Sequence, residues 1–251
     1  MSATQLFDYL VRLADNALVL GHRVSEWIGR APLLEEELAL GNLGLDLIGQ
    51  ARMLYAYAGE VEGNGRDEDH LAYFRDQGDW RNVLLVERPN GDFAATMLRH
   101  LFFAAYAAPL YAALTKSTDS RLADIAAKAV KEMTYHIRHA GEWVVRLGDG
   151  TPESHERAQA ALDDLWTYTG ELFERDAVED ALIAAGVAAD PRALKQEWDA
   201  TIAEILERAT LQSPANGWMQ SGGRRGIHSE ELSHMLAVMQ SLPRAMPGAV
   251  W

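Results

Sequence analysis

The stretch Val130–Trp143, VKEMTYHIRHAGEW, sits in the middle of a long amphipathic run, and the fold is decided by how it is read. Residues at i, i+4 and i+7 of a helix share one face, so Glu132, His136 and His139 are placed to project together. Asp119 or Thr118 caps this helix and Gly148 ends it. Before it, Asp92 caps a helix from Phe93 to about Lys116, predicted to bend at Pro109. Further back, Ser2 or Thr4 caps a first helix that carries Leu6, Leu10, Leu13, Ala17, Leu20, Val24 and Trp27 at helical spacing and ends at Gly29. Pro32 and the acidic Glu35, Glu36 and Glu37 suit the first turn of a second helix, running to about Ala58 with Gly59 beyond it. Its middle, LALGNLGLDLIG (Leu38–Gly49), is apolar on nearly every side and is predicted to be buried centrally. Gly41, Gly44 and Gly49 there lower helix propensity but admit the close approach of another helix.

The remaining segments are shorter. A helix is predicted from about Asp67 to Gln77, NVLLVE (82–87) reads as extended packing, and further helices fall near 153–173, 177–185, 191–210 and 228–241. Four long helices with short to medium connections argue for an all-α bundle, a single helical domain over residues 1–251.

A dinuclear metal centre in such a bundle takes a Glu from each of two helices and a Glu-x-x-His from each of the other two, because the carboxylates must neutralise two cations. Three features oppose it here. The residue three before His136 is Met133; the second helix has no histidine, with Leu40, Asn42, Leu43 and Leu45 at its centre; and no Asp or Glu occurs between Asp92 and Asp119. The residues therefore describe a closed apolar middle. The alternative is a di-iron enzyme in its own right with an unusual ligand set of Glu132, His136, His139 and Asp46. Glu231-x-x-His234 has ligand spacing, but it falls on a short helix without a partner motif.

Other candidates are few. GGRRG (222–226) is the one compact basic element, a glycine loop whose Arg224 and Arg225 are suited to a phosphate or to a partner's carboxylates, or else are simply solvated. His100, on an apolar helix, reads as a core or interface histidine. Trp143, Trp166, Trp198 and Trp218 read as packing or interface anchors. No phosphate-binding loop, dinucleotide fingerprint or nucleophile elbow occurs.

Composition narrows the classes. Of 251 residues, 48% are hydrophobic, enough for a substantial core. The absence of cysteine removes disulfides, thiolate metal sites and cysteine nucleophiles. A formal charge of −14 opposes nucleic acid and anionic membranes as partners. Neither an uninterrupted apolar span nor a basic leader stands out, and the expected location is cytoplasmic.

Six blocks, LADNALVLGHRVSEWIG, LGNLGLDLIGQAR, LLVERPNGDFA, KAVKEMTYHIRH, RLGDGT and GGRRGIHSEEL, follow one another over nearly the whole chain. Together they resemble the C-subunit family of bacterial phenylacetyl-CoA epoxidases. The resemblance implies a ferritin-like fold, a four-helix bundle with additional C-terminal helices, related to the catalytic A subunit of the same enzymes. In that subunit two Glu-x-x-His motifs hold di-iron; the matching positions here are Leu40, Leu43, Met133 and His136, so no catalytic or metal-ligand role carries over. What is implied is a structural, non-catalytic subunit that pairs with the A subunit and other subunits of the complex in phenylacetate degradation. This chain would carry no cofactor, with di-iron in its partner and NADPH, FAD and iron–sulfur chemistry in a reductase subunit. Homodimerisation of the isolated chain stays open. Arg224 and Arg225 become candidates for contact with the partner or with coenzyme A phosphates, and an acyl-CoA binding module is a further alternative.

Overall fold

The computed structural model describes residues 2–215 and 217–249. Among them are eleven α-helices, short 3-10 turns and no strand: α1 (Ala3–Ser25), α2 (Leu34–Glu62), α3 (Glu68–Tyr73), α4 (Leu84–Glu87), α5 (Phe93–Leu114), α6 (Ser120–Gly148), α7 (Pro152–Trp166), α8 (Ala177–Ala184), α9 (Lys195–Arg208), α10 (Glu230–Met239) and α11 (Ser241–Ala245). The chain is all-α and ferritin-like, with α1, α2, α5 and α6 as its four long helices. It divides into two compact units. One takes in the described residues up to Pro89 and from Gly222 onward; the other is Asn90–Ser221.

In the first unit α1 and α2 pack as an antiparallel pair. The Ser2 hydroxyl accepts from the Gln5 amide while the Gln5 side chain accepts from the Ser2 amide, closing a capping box at the start of α1. α2 begins at Leu34, two residues past Pro32, and runs beyond Ala58 to Glu62. Gly59, expected to lie past its end, is inside the helix, because the Arg66 backbone carbonyl rests where a Cβ would stand. Gly63 takes the left-handed C-cap (φ 72°) instead. NVLLVE, expected to be extended, contains the one-turn helix α4, all four of whose residues are buried. The expectation that the middle of α2 is buried centrally holds on one side only: Leu40, Leu43 and Leu47 are fully buried, whereas Leu38 and Leu45 are exposed.

The second unit is built on the antiparallel pair α5 and α6. The Asp92 and Asp119 carboxylates cap them by accepting from the Ala95 and Leu122 amides. α5 is long and apolar enough to cross a membrane, but most of it is buried inside the protein. Pro109 lies within it. The region expected to be one helix over 153–173 is α7 followed by a separate 3-10 turn, Gly170–Phe173. Asp190 caps a 3-10 turn, Pro191–Leu194, that leads into α9. Trp198 on α9 is fully buried and donates its indole N–H to the Phe102 carbonyl (2.9 Å). Trp166, Phe102 and Phe173 surround it with ring centroids 5.5–5.8 Å away.

Candidate functional site

The residues expected to converge on α6 have separate environments. His136 is fully buried and faces α5, where its Nδ1 lies 3.1 Å from Nε2 of His100. One of these nitrogens donates and the other accepts. Burial, then the neighbouring His136, pushes His100 well below the usual 6.5, so that it is neutral at physiological pH. Glu132 pairs with Lys128 across one helical turn (3.6 Å), and the His139 ring stacks on Tyr135 (6.2 Å between centroids). Among the described residues, no group of three or more His, Asp or Glu is placed to hold a metal ion. Met133 is fully buried on α6, as are Leu40 and Leu43 on α2. Without such a cluster the described residues do not fit a dinuclear iron carboxylate centre, and Leu40, Leu43 and Met133 offer it no oxygen or nitrogen donor. Glu231 and His234 also part company. The Glu231 carboxylate lies 3.9 Å from Arg23, whereas His234 is exposed.

The densest buried chemistry lies in the first unit, at residues that sequence reasoning did not single out. Asp15 on α1, with no exposure, accepts from the Tyr55 hydroxyl, from both terminal nitrogens of Arg75 (2.5 and 3.1 Å) and from the Arg81 amide (2.7 Å). Burial opposes the Arg75 charge, but Asp15, Tyr55 and Asp79 together outweigh it and raise the guanidinium above its ordinary pKa. Burial and Asp15 together raise Tyr55 as well, keeping the phenol protonated. The Arg75 guanidinium also lies over the buried Trp80 ring, 4.5 Å from its centroid.

A second centre adjoins it in sequence. The Glu87 carboxylate accepts from the Asn82 amide group (3.0 Å), from Nδ1 of His228 (2.8 Å) and from the Ser229 backbone amide (2.7 Å). Nε2 of His228 donates to the Trp80 carbonyl (2.9 Å). Both ring nitrogens thus face acceptors, which favours the imidazolium. Burial alone would lower His228; the bonds to Glu87 and Trp80 outweigh it, and its pKa stands above 6.5. Arg23 completes the centre with two bonds to the Glu87 carbonyl (2.8 and 3.2 Å) and one to the Glu231 carbonyl (3.2 Å).

These contacts explain the glycine-rich loop. A Cβ at Gly223 would overlap the Asn82 carbonyl, so the loop is docked rather than free. Arg224 is buried with it, while Arg225 is exposed. Three of the resembling sequence blocks therefore meet here: one supplies Asp15, Asn16 and Arg23, another Glu87, and the last His228, Ser229 and Glu231. Bonds to backbone amides and carbonyls dominate, and the arrangement holds segments together without presenting an open reactive group. The one hint in sequence was Asp15-Asn16 interrupting an otherwise apolar stretch of α1.

Comparison with known proteins agrees with these blocks. The whole chain, residues 1–251, matches the family described as Phenylacetic acid catabolic protein. The chain belongs to that family. Within it, this chain is similar to the C subunit of 1,2-phenylacetyl-CoA epoxidase from Escherichia coli (strain K12), at 47% identity over 247 residues, covering 98% of this chain and 99% of that protein. The resemblance to the C subunits thus extends over almost all of both chains.

Proposed function

We propose that this chain is a non-catalytic, structural subunit of a cytoplasmic, multicomponent phenylacetyl-CoA epoxidase, and that it pairs with the di-iron catalytic subunit and supports its active arrangement. The observation that carries this reading is the nearly full-length match, at 47% identity, to a protein named as the C subunit of such an enzyme. The donor chemistry supports it from below. Leu40, Leu43 and Met133 are fully buried, and Nδ1 of His136 is engaged by His100. Burying uncompensated charge destabilises a bundle, and a copy relieved of metal binding can repack its centre with apolar side chains.

On this reading the chain itself carries no cofactor. Oxygen-activating iron resides in the partner, and electrons reach it from NADPH through a reductase subunit with FAD and an iron–sulfur cluster. Arg225, the exposed member of the basic pair, is the place for a contact with a partner or with a coenzyme A phosphate.

The test is to co-express the chain with the catalytic subunit, then separate the two and measure iron in each. Co-elution is expected, with iron in the catalytic chain and only trace iron here. Phenylacetyl-CoA is expected to be epoxidised by the pair together with the reductase, and not when this chain replaces the catalytic one. Stoichiometric iron in this chain alone would overturn the reading. Affinity of the isolated chain for a coenzyme A ester, lost in Arg225→Gln, would instead favour an acyl-CoA binding module.

A further inference from the structure

Five large apolar side chains are exposed within one stretch of the first unit: Ile28 (58%), Leu33 (55%), Leu34 (68%), Leu38 (62%) and Leu45 (68%). Scattered exposed leucines need no explanation, but these are ordered. At 100° per residue, Leu34, Leu38, Gly41, Leu45 and Gly49 fall within an arc of about 80° on α2, the width of a seam that receives another helix.

The glycines provide an independent observation. Gly44 is required by the internal packing of the α1–α2 pair, since a Cβ there would meet the Ser25 hydroxyl at 2.6 Å. Gly49 has no such reason, for a Cβ would find nothing within 4 Å. At Gly41 it would only touch Ile28, at 4.0 Å. Each glycine inside a helix destabilises it by about 1 kcal/mol relative to alanine. Two are retained on the exposed face, where what they admit is a backbone from outside.

Charge decides what kind of chain that is. No Lys or Arg occurs between Arg30 and Arg52, whereas Glu35, Glu36, Glu37 and Asp46 lie along the same segment of α2. If two copies met through this face in parallel, the three glutamates of one would oppose those of the other. If they met antiparallel about Gly41, the glutamates would oppose Asp46. In both of these registers a second copy brings acid to acid, on chains that each carry −14, and the next basic residue along the helix, Arg52, is already paired with Glu68.

We infer that the Leu34–Leu38–Gly41–Leu45–Gly49 face of α2 is the docking surface for a helix of a different subunit, one with an apolar seam flanked by Lys or Arg. This deepens the proposed function and rests on it, the occupant being the catalytic subunit of the same epoxidase.

The test titrates the full-length chain against purified catalytic subunit. It uses the wild type, the double variant Leu38→Glu/Leu45→Glu, the charge variant Glu35→Lys/Glu36→Lys/Glu37→Lys, and Val238→Glu as an exposed control off this face. The double variant is expected to bind at least about 100-fold more weakly, with thermal unfolding unchanged because its side chains already face water. The charge variant is expected to bind about 10-fold more weakly at low salt, and the control like the wild type. If the wild type fails to bind, the proposed function falls. If the wild type binds and the double variant binds equally well, only this inference falls. It falls also if the isolated chain is a dimer that the double variant converts to monomer, or if charge reversal tightens binding.

Discussion

Two buried polar sites, one in each unit, are built in opposite ways. In the first, Asp15 with Arg75 and Glu87 with His228 are enclosed together with the amides, carbonyls and hydroxyl that satisfy them. In the second, the comparable helix pair encloses two imidazoles that share one hydrogen bond, and His100 Nδ1 has no partner. The charged centres join segments far apart in sequence, Glu87 and His228 being 141 residues from each other. The aromatic cluster around Trp198 does similar joining without charge. A buried ion pair is weak evidence for stability by itself, but removing one partner is strongly destabilising. The first unit should therefore be brittle at Asp15 and Glu87, and the second tolerant of losing the His100–His136 bond.

The largest expected effect is that of Asp15→Ala, which leaves the Arg75 charge without its carboxylate and the Tyr55 hydroxyl and Arg81 amide without their acceptor. A loss of about 3–5 kcal/mol is expected from urea unfolding, with amide exchange accelerating in α1 and α2 before α5 and α6. A loss below 1 kcal/mol would remove the contrast between the units.

His228→Ala is expected to follow, at about 1.5–3 kcal/mol, the range for hydrogen bonds to a charged group. It also sharpens the comparison through pH. Because the folded pKa of His228 lies above 6.5, its contribution is complete below pH 6.5 and is lost as pH rises through the folded value. The difference between wild type and variant should therefore shrink on the alkaline side.

His100→Phe/His136→Phe is expected to change stability by less than about 1 kcal/mol near neutral pH, since both members of the bond leave together. Its pH signature has the opposite sign. His100 is depressed in the folded protein, so wild-type stability falls as pH drops below 6.5, where the unfolded chain takes up the proton first. The double variant should lose that part of the acid sensitivity. Unfolding midpoints of the three proteins between roughly pH 5 and 9 would separate the two histidine types.

Much of this architecture was legible because helix punctuation is local. Ser2, Asp92 and Asp119 cap where their side chains predict. Gly59 misled because a glycine serves equally for a helix end and for a close crossing, and only the neighbouring Arg66 carbonyl decides between them. NVLLVE misled because its β-branched residues fit any buried backbone. The apolar run in α2 did not separate side chains that fill the interior from those that face outward, as composition is the same for both. Spacing alone marked Met133, three residues before His136, whereas Leu40 and Leu43 were set against the di-iron positions only through the family resemblance. The His100–His136 contact was not, since nothing in a 36-residue separation marks two histidines as neighbours.

The docked turn at Gly223 has a consequence for how the chain is made. The second unit is continuous in sequence, so a ribosome can release all of it before the tail appears. The first cannot be finished until His228 and its neighbours have emerged to meet Glu87. The hairpin synthesised first is thus the last to be sealed, and until then the Glu87 carboxylate lacks its partners His228 and Ser229.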